Sequence, residues 1–373
     1  MSIASLIGLS AILHLFVGLR IVPSLPGDAA PWLFALVLLA SSLLMPLGLV
    51  ARRFVRPPTA DRLTWAGMLA MGLFSSLLVF TLLREAVLLI AWLAGARDWS
   101  EPTATAVPLI ALAATLIGAF NARKTASIVD VDVPIAGLPT ALVGFTIAQI
   151  SDIHVGPTIK APYLKDIVDA VNRLQADLVA VTGDLVDGSV AELRDQVAPL
   201  AGLISRHGTF FVTGNQEYYS GATAWVTELR TLGVNVLMNQ HVVFERGGAS
   251  VVLAGIADYG AHHYDPSHKS DPVAALLGSP ETAAVRVLLA HQPRSAAAAE
   301  LAGFDLQLSG HTHGGQFLPW TFLVRLQQPF TAGLHRLGRL WVYVNRGTGY
   351  WGPPKRLGAP SEITRLRLIQ ALP

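Results

Sequence analysis

The sequence predicts an α/β domain, a layered β-sandwich flanked by helices, preceded by an all-α region of about four transmembrane helices. Of the 373 residues, 52% are hydrophobic and only 14% are charged, with a mean hydropathy of +0.49. An ordinary soluble domain has about 25% charged residues. Apolar runs of near-bilayer length recur before residue 125, and β-branched runs alternate with helical patterns after it. We therefore expect a transmembrane region at residues 1–124 and a folded domain at residues 125–373.

Four apolar runs make up the N-terminal region. Each is close to the ~20 residues that a bilayer-spanning helix needs. A cleavable signal peptide has a single short apolar core, whereas these runs recur, so we expect a multi-pass membrane protein. The runs cover residues 2–22, 31–50, 64–83 and 104–120.

Basic residues set the predicted orientation of these spans. Four arginines lie between the second and third runs, and Arg123 and Lys124 follow the fourth. The opposite loops contain little beyond Arg20 and Arg97. Because cytoplasmic loops carry the excess of Lys and Arg, we expect both termini and the C-terminal domain in the cytoplasm.

Arg84 and Glu85 interrupt an apolar stretch over residues 64–95. At ~1.5 Å per residue, this stretch is longer than one untilted crossing of a ~30 Å hydrocarbon core requires. One interpretation places the two charged residues at the outer interface, with residues 86–95 lying along it. The other is an intramembrane ion pair that lines a path for a lipid headgroup.

The charge after residue 124 is unevenly distributed. Residues 125–305 contain ten Lys/Arg against nineteen Asp/Glu, and residues 306–373 contain eight against one. This is not the diffuse basic surface of a nucleic-acid binder, so we expect no nucleic-acid partner. The chain has no cysteine. Disulfides, thiol catalysis and Cys-ligated metals are therefore excluded, and any metal must be held by His, Asp, Glu or Asn.

Runs of β-branched residues that end in turn or polar residues predict eight strands, with helical patterns between several of them. The ligands of open α/β sheets gather beyond the carboxyl ends of the strands, so the residues there are the site candidates. The strands cover residues 143–150, 178–182, 209–213, 251–256, 285–290, 306–308, 340–344 and 363–369, and the helices cover residues 163–175, 190–205, 222–232 and 294–302.

Five of the predicted strand ends carry oxygen or nitrogen ligands. A mixed set of carboxylates and imidazoles suits divalent Mn, Fe or Zn, and the number of groups is too large for one tetrahedral ion, so we expect two ions. Gly183, Gly214 and Gly310 are expected to permit sharp turns that aim the next side chain into the site. The strand ends read Ser151-Asp152-Ile153-His154, Gly183-Asp184-Leu185-Val186-Asp187, Gly214-Asn215-Gln216-Glu217, His291, and Gly310-His311-Thr312-His313-Gly314-Gly315-Gln316.

Over roughly residues 142–369 the sequence resembles the calcineurin-like metallophosphoesterase superfamily. The family pattern is Asp-x-His, Gly-Asp-x-x-Asp, Gly-Asn-His-Asp/Glu, His and Gly-His-x-His, in this order. The segments GHTHGGQ at residues 310–316 and RGTGYWGPP at residues 346–354 resemble signatures of its membrane-anchored bacterial branch. Together with the basic loops, the resemblance implies a multi-pass protein of the bacterial inner membrane with its catalytic domain on the cytoplasmic side.

The resemblance also implies the roles of the strand-end residues. Hydrolysis of a phosphoester or pyrophosphate would proceed by in-line attack of a hydroxide that bridges two divalent ions. Mn is the ion that we expect first, with Fe, Zn or Co as alternatives. Carried over by position, the first ion would be held by Asp152, His154 and His313, Asp184 would bridge the two ions, and Asn215, His291 and His311 would complete the second site.

Gln216 departs from the family pattern, which has His at this position. In the family that His is oriented by the carboxylate here numbered Asp187, and it donates a proton to the leaving oxygen or stabilises it. A Gln amide donates a hydrogen bond but cannot transfer a proton. Loss of a general acid costs about 10²–10⁴-fold in rate. Three explanations are open: an engineered substitution, a natural enzyme whose leaving group departs without protonation, or a binding pseudoenzyme.

The substrate class is predicted from the membrane region and the basic tail. Residues 317–325 are apolar and aromatic, and they form either part of the core or a lip in which Trp320 contacts acyl chains and Arg325 faces anionic headgroups. Arg346 is the preferred phosphate contact, because guanidinium binds phosphate bidentately; a surface salt bridge is the alternative.

We therefore expect a membrane-lipid phosphoester or pyrophosphate as the substrate, similar to the substrates of the related UDP-diacylglucosamine pyrophosphatases. Four helices exceed what tethering requires, since one crossing suffices to anchor a domain. The alternatives are a soluble nucleotide or phosphoprotein substrate, and a non-catalytic lipid-binding role. The sequence predicts no oligomeric state.

Overall fold

In the computed structural model, which describes residues 3–96 and 98–371, the chain divides into two units. The first contains the residues up to Arg123 together with Phe317–Pro319 and Gly352–Leu357, and the second contains the rest of the chain. The division falls within one residue of the predicted boundary after residue 124, but the two short segments belong to the helical unit. Ser2 and Arg97, used in predicting the spans and their orientation, lie outside the described residues.

Four long helices form most of the first unit, as the four apolar runs predict. Each is long and apolar enough to cross a membrane. A Cβ atom on Gly67 would lie 2.7 Å from the Cα atom of Gly48, so glycines let the second and third helices approach closely. The helices are α1 (Ile3–Ile21), α2 (Ala29–Val50), α3 (Thr59–Leu93) and α4 (Ser100–Arg123).

Arg84 and Glu85 lie inside α3, which continues past them without a break. Residues 86–93 therefore extend the axis of α3, which corrects the expectation of a separate segment along the interface. The Arg84 side chain is buried, and it donates to Thr103 Oγ1, to the carbonyl oxygens of Arg20 and Ser100, and to Glu85 Oε1. These bonds join α3 to the end of α1 and the start of α4 within the helical unit.

Lys355 lies in the second of the two short segments and completes the helical unit. Its side chain is buried, and Nζ donates to the Gly72 carbonyl oxygen at 2.9 Å, to Ser76 Oγ at 2.5 Å and to Thr115 Oγ1 at 3.1 Å. A Cβ atom on Gly118 would lie only 2.6 Å from Lys355 Cγ. Small residues on α3 and α4 therefore make room for the lysine stem.

Two six-stranded sheets form the centre of the second unit. The eight predicted strands are all present, with ends at most three residues from the predicted ones. The strands are β1 (Ser127–Ile135), β2 (Thr146–Ile150), β3 (Leu178–Val181), β4 (Thr209–Phe211), β5 (Asn235–Val236), β6 (Gln240–Arg246), β7 (Ala249–Gly255), β8 (Val285–Leu289), β9 (Leu306–Ser309), β10 (Gly333–Leu337), β11 (Leu340–Val344) and β12 (Glu362–Gln370).

The strand order is β1-β12-β2-β3-β4-β5 in the first sheet and β10-β11-β9-β8-β7-β6 in the second. Strands β2 to β5 are parallel, and so are β7, β8, β9 and β11. The prediction misses β1, β5, β6 and β10, each of which is an edge strand. Edge strands carry fewer buried side chains, so their apolar pattern is weak.

The inner faces of the sheets form one buried core. Ile147 and Phe210 of the first sheet and Val287 and Leu308 of the second belong to the same cluster. The second sheet packs its outer face on helix residues such as Ala299. The predicted layered β-sandwich with flanking helices is thus confirmed. The helices are α5 (Ala161–Asn172), α6 (Val190–Val197), α7 (Asn215–Ser220), α8 (Ala222–Thr231), α9 (Pro272–Ala275), α10 (Ala296–Leu301) and α11 (Trp320–Leu323).

The helix predicted over residues 190–205 is shorter than expected. Regular α6 ends at Val197, and the chain tightens into a 3₁₀ turn at Ala198–Gly202. Pro199 has no N–H to continue the hydrogen-bond ladder of the helix, which accounts for the change.

Candidate metal centre

A first group of possible ligand atoms comes from residues that follow one strand in each of the two sheets. Asp152 and His154 follow β2, whereas His313 follows β9, and one ligand atom of each residue lies within 4.8 Å of the others. The Nε2 atoms of His154 and His313 are 3.1 Å apart, and His313 Nε2 lies 3.5 Å from Asp152 Oδ1. All three side chains are buried. Their donor atoms therefore converge on one point away from bulk water.

A second group consists of Asp184 after β3, His291 after β8 and His311 after β9. His291 Nε2 lies 3.2 Å from Asp184 Oδ2 and 3.2 Å from His311 Nδ1. The two groups are adjacent, because the backbone N–H of His311 donates to both carboxylate oxygens of Asp152, at 3.0 and 2.9 Å.

Asn215 is the seventh predicted ligand and begins α7, directly before Gln216, whose backbone N–H donates to Asp184 Oδ1 at 2.8 Å. Asn215 Oδ1 is buried and has no hydrogen-bond partner among the residues that the structure describes. A buried amide oxygen without a partner is costly, and a cation beside the Asp184 carboxylate would satisfy it. The donor set, imidazole nitrogens with carboxylate and amide oxygens, also suits divalent Mn, Fe or Zn.

Hydrogen bonds outside the two groups orient the imidazole rings. His154 Nδ1 lies 2.9 Å from Asp187 Oδ1, and His291 Nδ1 lies 2.8 Å from the Thr182 carbonyl oxygen. Both contacts leave Nε2 directed at the ligand point, as outer partners of metal-binding histidines commonly do. With glutamine at position 216, the carboxylate of Asp187 is expected to lack the partner that the family resemblance implies; in the structure it contacts His154 Nδ1.

Burial and charge act in opposite directions on the two carboxylates. Burial raises the pKa of Asp152, the largest effect on that group. Burial also acts to raise the pKa of Asp184, but the neighbouring His291 holds it well below its usual range. The two buried carboxylates need compensating positive charge, which either protonated imidazoles or a bound cation can supply.

Glu217 is a structural part of the site to which the sequence analysis assigns no role. Its buried carboxylate accepts hydrogen bonds from the backbone N–H groups of Asp184 at 3.0 Å, Leu185 at 2.8 Å and Gly214 at 2.7 Å. Burial, followed by the charge of Asp184, raises the pKa of Glu217 to about 7. The Glu217 side chain therefore connects the loop after β3 to the loop after β4. In the sequence, the only indication of this role is that an acidic residue ends the Gly-Asn-Gln-Glu motif.

The backbone of the ligand loops is unusual. Non-glycine residues rarely adopt positive φ, and they do so mainly where the surrounding structure imposes it, often at functional sites. Five of the predicted ligands have φ between 50° and 69°: Asp152, His154, Asp184, His311 and His313. The sequence carries no sign of this, because none of these residues is glycine.

The glycines of the ligand loops act in two different ways. Gly183 has φ of 89°, the sharp turn that the sequence predicts. Gly310 lacks positive φ; a Cβ atom there would collide with Ser151 Oγ and Asp152 Oδ2. Gly214 likewise has an extended backbone, and a Cβ atom would collide with Asp184. The last two are therefore needed for close approach of loops rather than for a turn.

The predicted substrate residues occupy different environments. Arg346 Nη1 lies 2.6 Å from Glu362 Oε2, so its charge is paired. Arg325 is exposed in the 3₁₀ turn Val324–Leu326, and Trp320 begins α11 with 51% of its side chain exposed. Of the three, Arg346 also packs its aliphatic stem against Gly314, next to His313.

Comparison with known proteins agrees with this geometry. Residues 145–315 match the model of the calcineurin-like phosphoesterases. A transmembrane protein with metallophosphoesterase domain from Danio rerio is 40% identical over 271 residues, which cover 70% of this chain and 62% of that protein. The protein of the same name from Bos taurus is 39% identical over 317 residues, covering 80% of this chain and 70% of that protein.

A bacterial relative extends the match. A metallophosphoesterase from Campylobacter jejuni is 36% identical over 315 residues, covering 82% of each chain. This chain spans less than two thirds of the Danio rerio relative, so that protein has further sequence of its own. The chain is therefore a member of the calcineurin-like phosphoesterase family, a membrane protein that carries a metal-dependent phosphoesterase domain.

Proposed function

We propose that the protein is a dinuclear-metal hydrolase that cleaves a phosphoester or pyrophosphate bond of a membrane lipid. The observation that carries this proposal is the convergence of two adjacent groups of ligand atoms, together with the buried Oδ1 of Asn215, which has no hydrogen-bond partner among the residues described. When bound, two divalent ions lower the pKa of a shared water and neutralise charge on the attacked phosphoryl group. Manganese is the first ion to test.

The chain's own contribution is to hold the ligand atoms rigidly. Asp187 and the Thr182 carbonyl orient the rings of His154 and His291. Three backbone N–H groups hold the carboxylate of Glu217. Preorganised ligands need no rearrangement during the reaction, which is where electrostatic catalysis gains most of its effect.

Gln216 favours a leaving group that departs as an anion. Its amide can donate a hydrogen bond to a leaving oxygen, but it has no proton to transfer. A phosphate monoester released from a pyrophosphate, or an activated phenolate, needs no proton at neutral pH. We expect metal binding to survive the glutamine, since the predicted ligands are other residues and the backbone N–H of Gln216 donates to Asp184 Oδ1 whatever the side chain.

Exposed apolar side chains support a lipid substrate. Trp320, Phe322 and Leu326, which follow the ligand loop in the chain, expose 51%, 63% and 82% of their surface. The core-packing interpretation of this segment does not account for such exposure. Clusters of exposed apolar residues mark sites for membranes, ligands or partners. Together with four apolar helices, the segment supports an acyl-chain contact at the cytoplasmic face of a bacterial inner membrane.

The test is manganese-dependent hydrolysis by the full-length protein. Two substrates are compared: bis-p-nitrophenyl phosphate in solution, and a diacylglycerol pyrophosphate in mixed micelles. Trp320→Ser and Phe322→Ser each remove an apolar contact worth roughly 1.5–3 kcal/mol. We expect kcat/KM for the lipid to fall at least tenfold and that for the aryl diester to stay unchanged.

The control is Ile204→Ser, since Ile204 is 71% exposed and precedes β4, whereas the ligand loop follows the other end of that strand. This variant should leave both activities at the wild-type value. Absence of hydrolysis of both substrates by the metal-loaded protein would contradict the enzyme assignment. Equal loss of both activities in the Trp320 variant would contradict the lipid contact.

A further inference from the structure

A chain of buried polar side chains links three loops of the phosphoesterase unit. Gln292 Nε2 donates to Asp258 Oδ1 at 2.9 Å, and Gln328 Nε2 donates to Gln292 Oε1 at 3.3 Å. Asp258 is 1% exposed, Gln292 8% and Gln328 3%. Buried polar groups are costly unless they are satisfied, so such a chain holds its loops in one arrangement.

This series of hydrogen-bonded side chains ends at the backbone of Arg294, whose N–H donates to Gln328 Oε1 at 3.2 Å. The guanidinium group donates from Nη2 to the Gln327 carbonyl oxygen at 2.6 Å, and its carbon lies 5.3 Å from the centre of the Tyr259 ring. Tyr259 directly follows Asp258, the side chain at the other end of this series of hydrogen bonds. Residues at both ends of the series therefore position the side chain of Arg294.

Arg294 has an exposed side chain without a carboxylate partner in the described part of the chain. Its Nε and Nη1 atoms, within the same described residues, have no hydrogen-bond acceptor. Arg346, the phosphate contact that the sequence predicts, is in contrast paired with Glu362. A guanidinium group that is held in place and left unpaired is suited to bind an anion.

Arg294 lies at the edge of the second sheet that carries the two histidines of the second ligand group. It follows His291 by three residues, in the 3₁₀ turn Pro293–Ser295 after β8. Tyr259, over whose ring the guanidinium group lies, follows the carboxyl end of β7, which is parallel to β8. His311 follows β9, which is also parallel to β8, so the loops of Tyr259, Arg294 and His311 leave the sheet at the same edge.

We infer that Arg294 is an anion-binding residue of the site and that it takes the second phosphoryl group of a diphosphate substrate, the one that leaves. The inference rests on the proposed function and names the residue that selects the substrate. Bound ions would neutralise the attacked phosphoryl group, whereas Arg294, which is not a predicted metal ligand, would bind the phosphoryl group beyond it. Stacking on Tyr259 and the bond to Gln327 restrict the arginine to few rotamers, so little side-chain entropy is lost on binding.

This role is consistent with glutamine at position 216. In hydrolysis of a diphosphate, a water oxygen forms a bond to one phosphorus atom, and the bond from that phosphorus to the bridging oxygen breaks. The bridging oxygen keeps the electron pair and leaves within a phosphate monoester anion, and the proton of the water passes to solvent. No residue has to protonate the leaving oxygen, and Arg294 pairs with the charge of the departing phosphate group, which an aryl leaving group lacks.

The experiment compares Arg294→Gln, Arg294→Lys and the control Arg173→Gln, since Arg173 is also exposed and lies at the end of α5. The substrates are bis-p-nitrophenyl phosphate, with one phosphoryl group, and two diphosphates: diacylglycerol pyrophosphate in mixed micelles, and soluble ADP-ribose. We expect Arg294→Gln to lower kcat/KM for a diphosphate by about tenfold to a hundredfold, as for other hydrogen bonds to charged groups. The aryl diester should change by less than twofold, and Arg294→Lys should recover part of the loss.

The two diphosphates distinguish a lipid source from a nucleotide source, and Arg294 dependence of either supports the inference. A merely structural role would lower the rates of all three substrates together, and that result would overturn it. Unchanged diphosphate kinetics in Arg294→Gln would overturn it as well.

A binding measurement separates this inference from the proposed function. Methylene diphosphonate, which cannot be hydrolysed, is titrated into manganese-loaded protein by calorimetry. We expect binding to Arg294→Gln at least tenfold weaker than to the wild type, with methylphosphonate binding unchanged. If the wild type hydrolyses nothing but shows this difference, the proposed function fails and the anion site stands. Equal binding by wild type and variant refutes the anion site.

Discussion

The ammonium nitrogen of Lys355 lies 2.9 Å from the carbonyl oxygen of Gly72, although 283 residues separate them in the chain. Ser76 and Thr115 accept the other two hydrogen bonds, so all three ammonium protons have partners. A segment of the C-terminal half is therefore an integral part of the helical unit. Deletion of residues 1–124 would leave this lysine without its acceptors, so the full-length chain is the form to use in experiments.

Lys355 makes the stability of the protein depend on pH. Burial lowers the pKa of Lys355 to about 8 from its ordinary value of 10.5. Between these two pH values the folded state binds fewer protons than the unfolded state, so stability rises with pH across this interval. Thermal unfolding in detergent at pH 7.5 and pH 9.5 should show this rise in the wild type and a smaller one in Lys355→Met. Lys165→Met, at an exposed lysine paired with Asp169, should behave as the wild type.

Asp187→Asn should weaken metal binding at the first ligand group. The carboxylate of Asp187 orients His154 from 2.9 Å, and loss of such an outer partner costs about 10- to 100-fold in metal affinity. The measurement is a manganese titration of EDTA-treated protein, followed by electron paramagnetic resonance. Asp195→Asn, at an exposed aspartate on α6, serves as the control. Unaltered affinity in Asp187→Asn would show that the ring of His154 needs no such support.

Gln216→His should supply a proton donor. We expect kcat for glycerophosphocholine, whose alkoxide leaving group needs a proton, to rise about 10²-fold. Bis-p-nitrophenyl phosphate, which releases a stable phenolate, should respond far less. Gln240→His, on the exposed side of β6, controls for an added imidazole. A failure of the alkyl ester to respond would contradict the assignment of position 216 as the place of the general acid.

Glu217→Gln should destabilise the protein while leaving every ligand side chain in place. The amide group would set an N–H donor against the backbone N–H of Asp184, Leu185 or Gly214, each of which now donates to the carboxylate. We expect a loss of about 2–3 kcal/mol in the free energy of unfolding. Chemical denaturation at pH 8 measures it, and Glu245→Gln, on the exposed side of β6, is the matched change. A loss below 0.5 kcal/mol, the usual size of a neutral surface change, would contradict the bridging role.

Much of the fold could be predicted from the sequence, because the spacing of apolar residues within a short segment indicates whether that segment is a helix or a strand. Apolar runs indicate the four spans, and β-branched runs indicate the eight inner or long strands. The sequence does not predict the edge strand β1, because Asp130 and Asp132 break its apolar pattern. In the structure these aspartates pair with Arg365 and Arg367 across the parallel register with β12, a compensation that no local window contains.

Much of the candidate site was also predictable, for a chemical reason. Carboxylates and imidazoles at the ends of successive strands, such as Asp152 and His311, have few roles in common besides metal binding. The positive φ of these residues, the bond from Asp187 to His154 and the position of Arg294 could not be predicted. Each of them depends on how separate loops meet, and hydrogen bonds between distant loops leave no periodic trace.

The sequence by itself determined which side chains are available: four apolar spans, oxygen- and nitrogen-bearing side chains at the strand ends, and a glutamine at position 216. Only the tertiary structure decided how these are paired: Arg346 with Glu362, Arg294 with Tyr259, and Lys355 with the carbonyl oxygen of Gly72. The physical reason is that chemistry and periodicity belong to residues and short segments. Pairing depends on packing, which brings residues together irrespective of their separation in the chain.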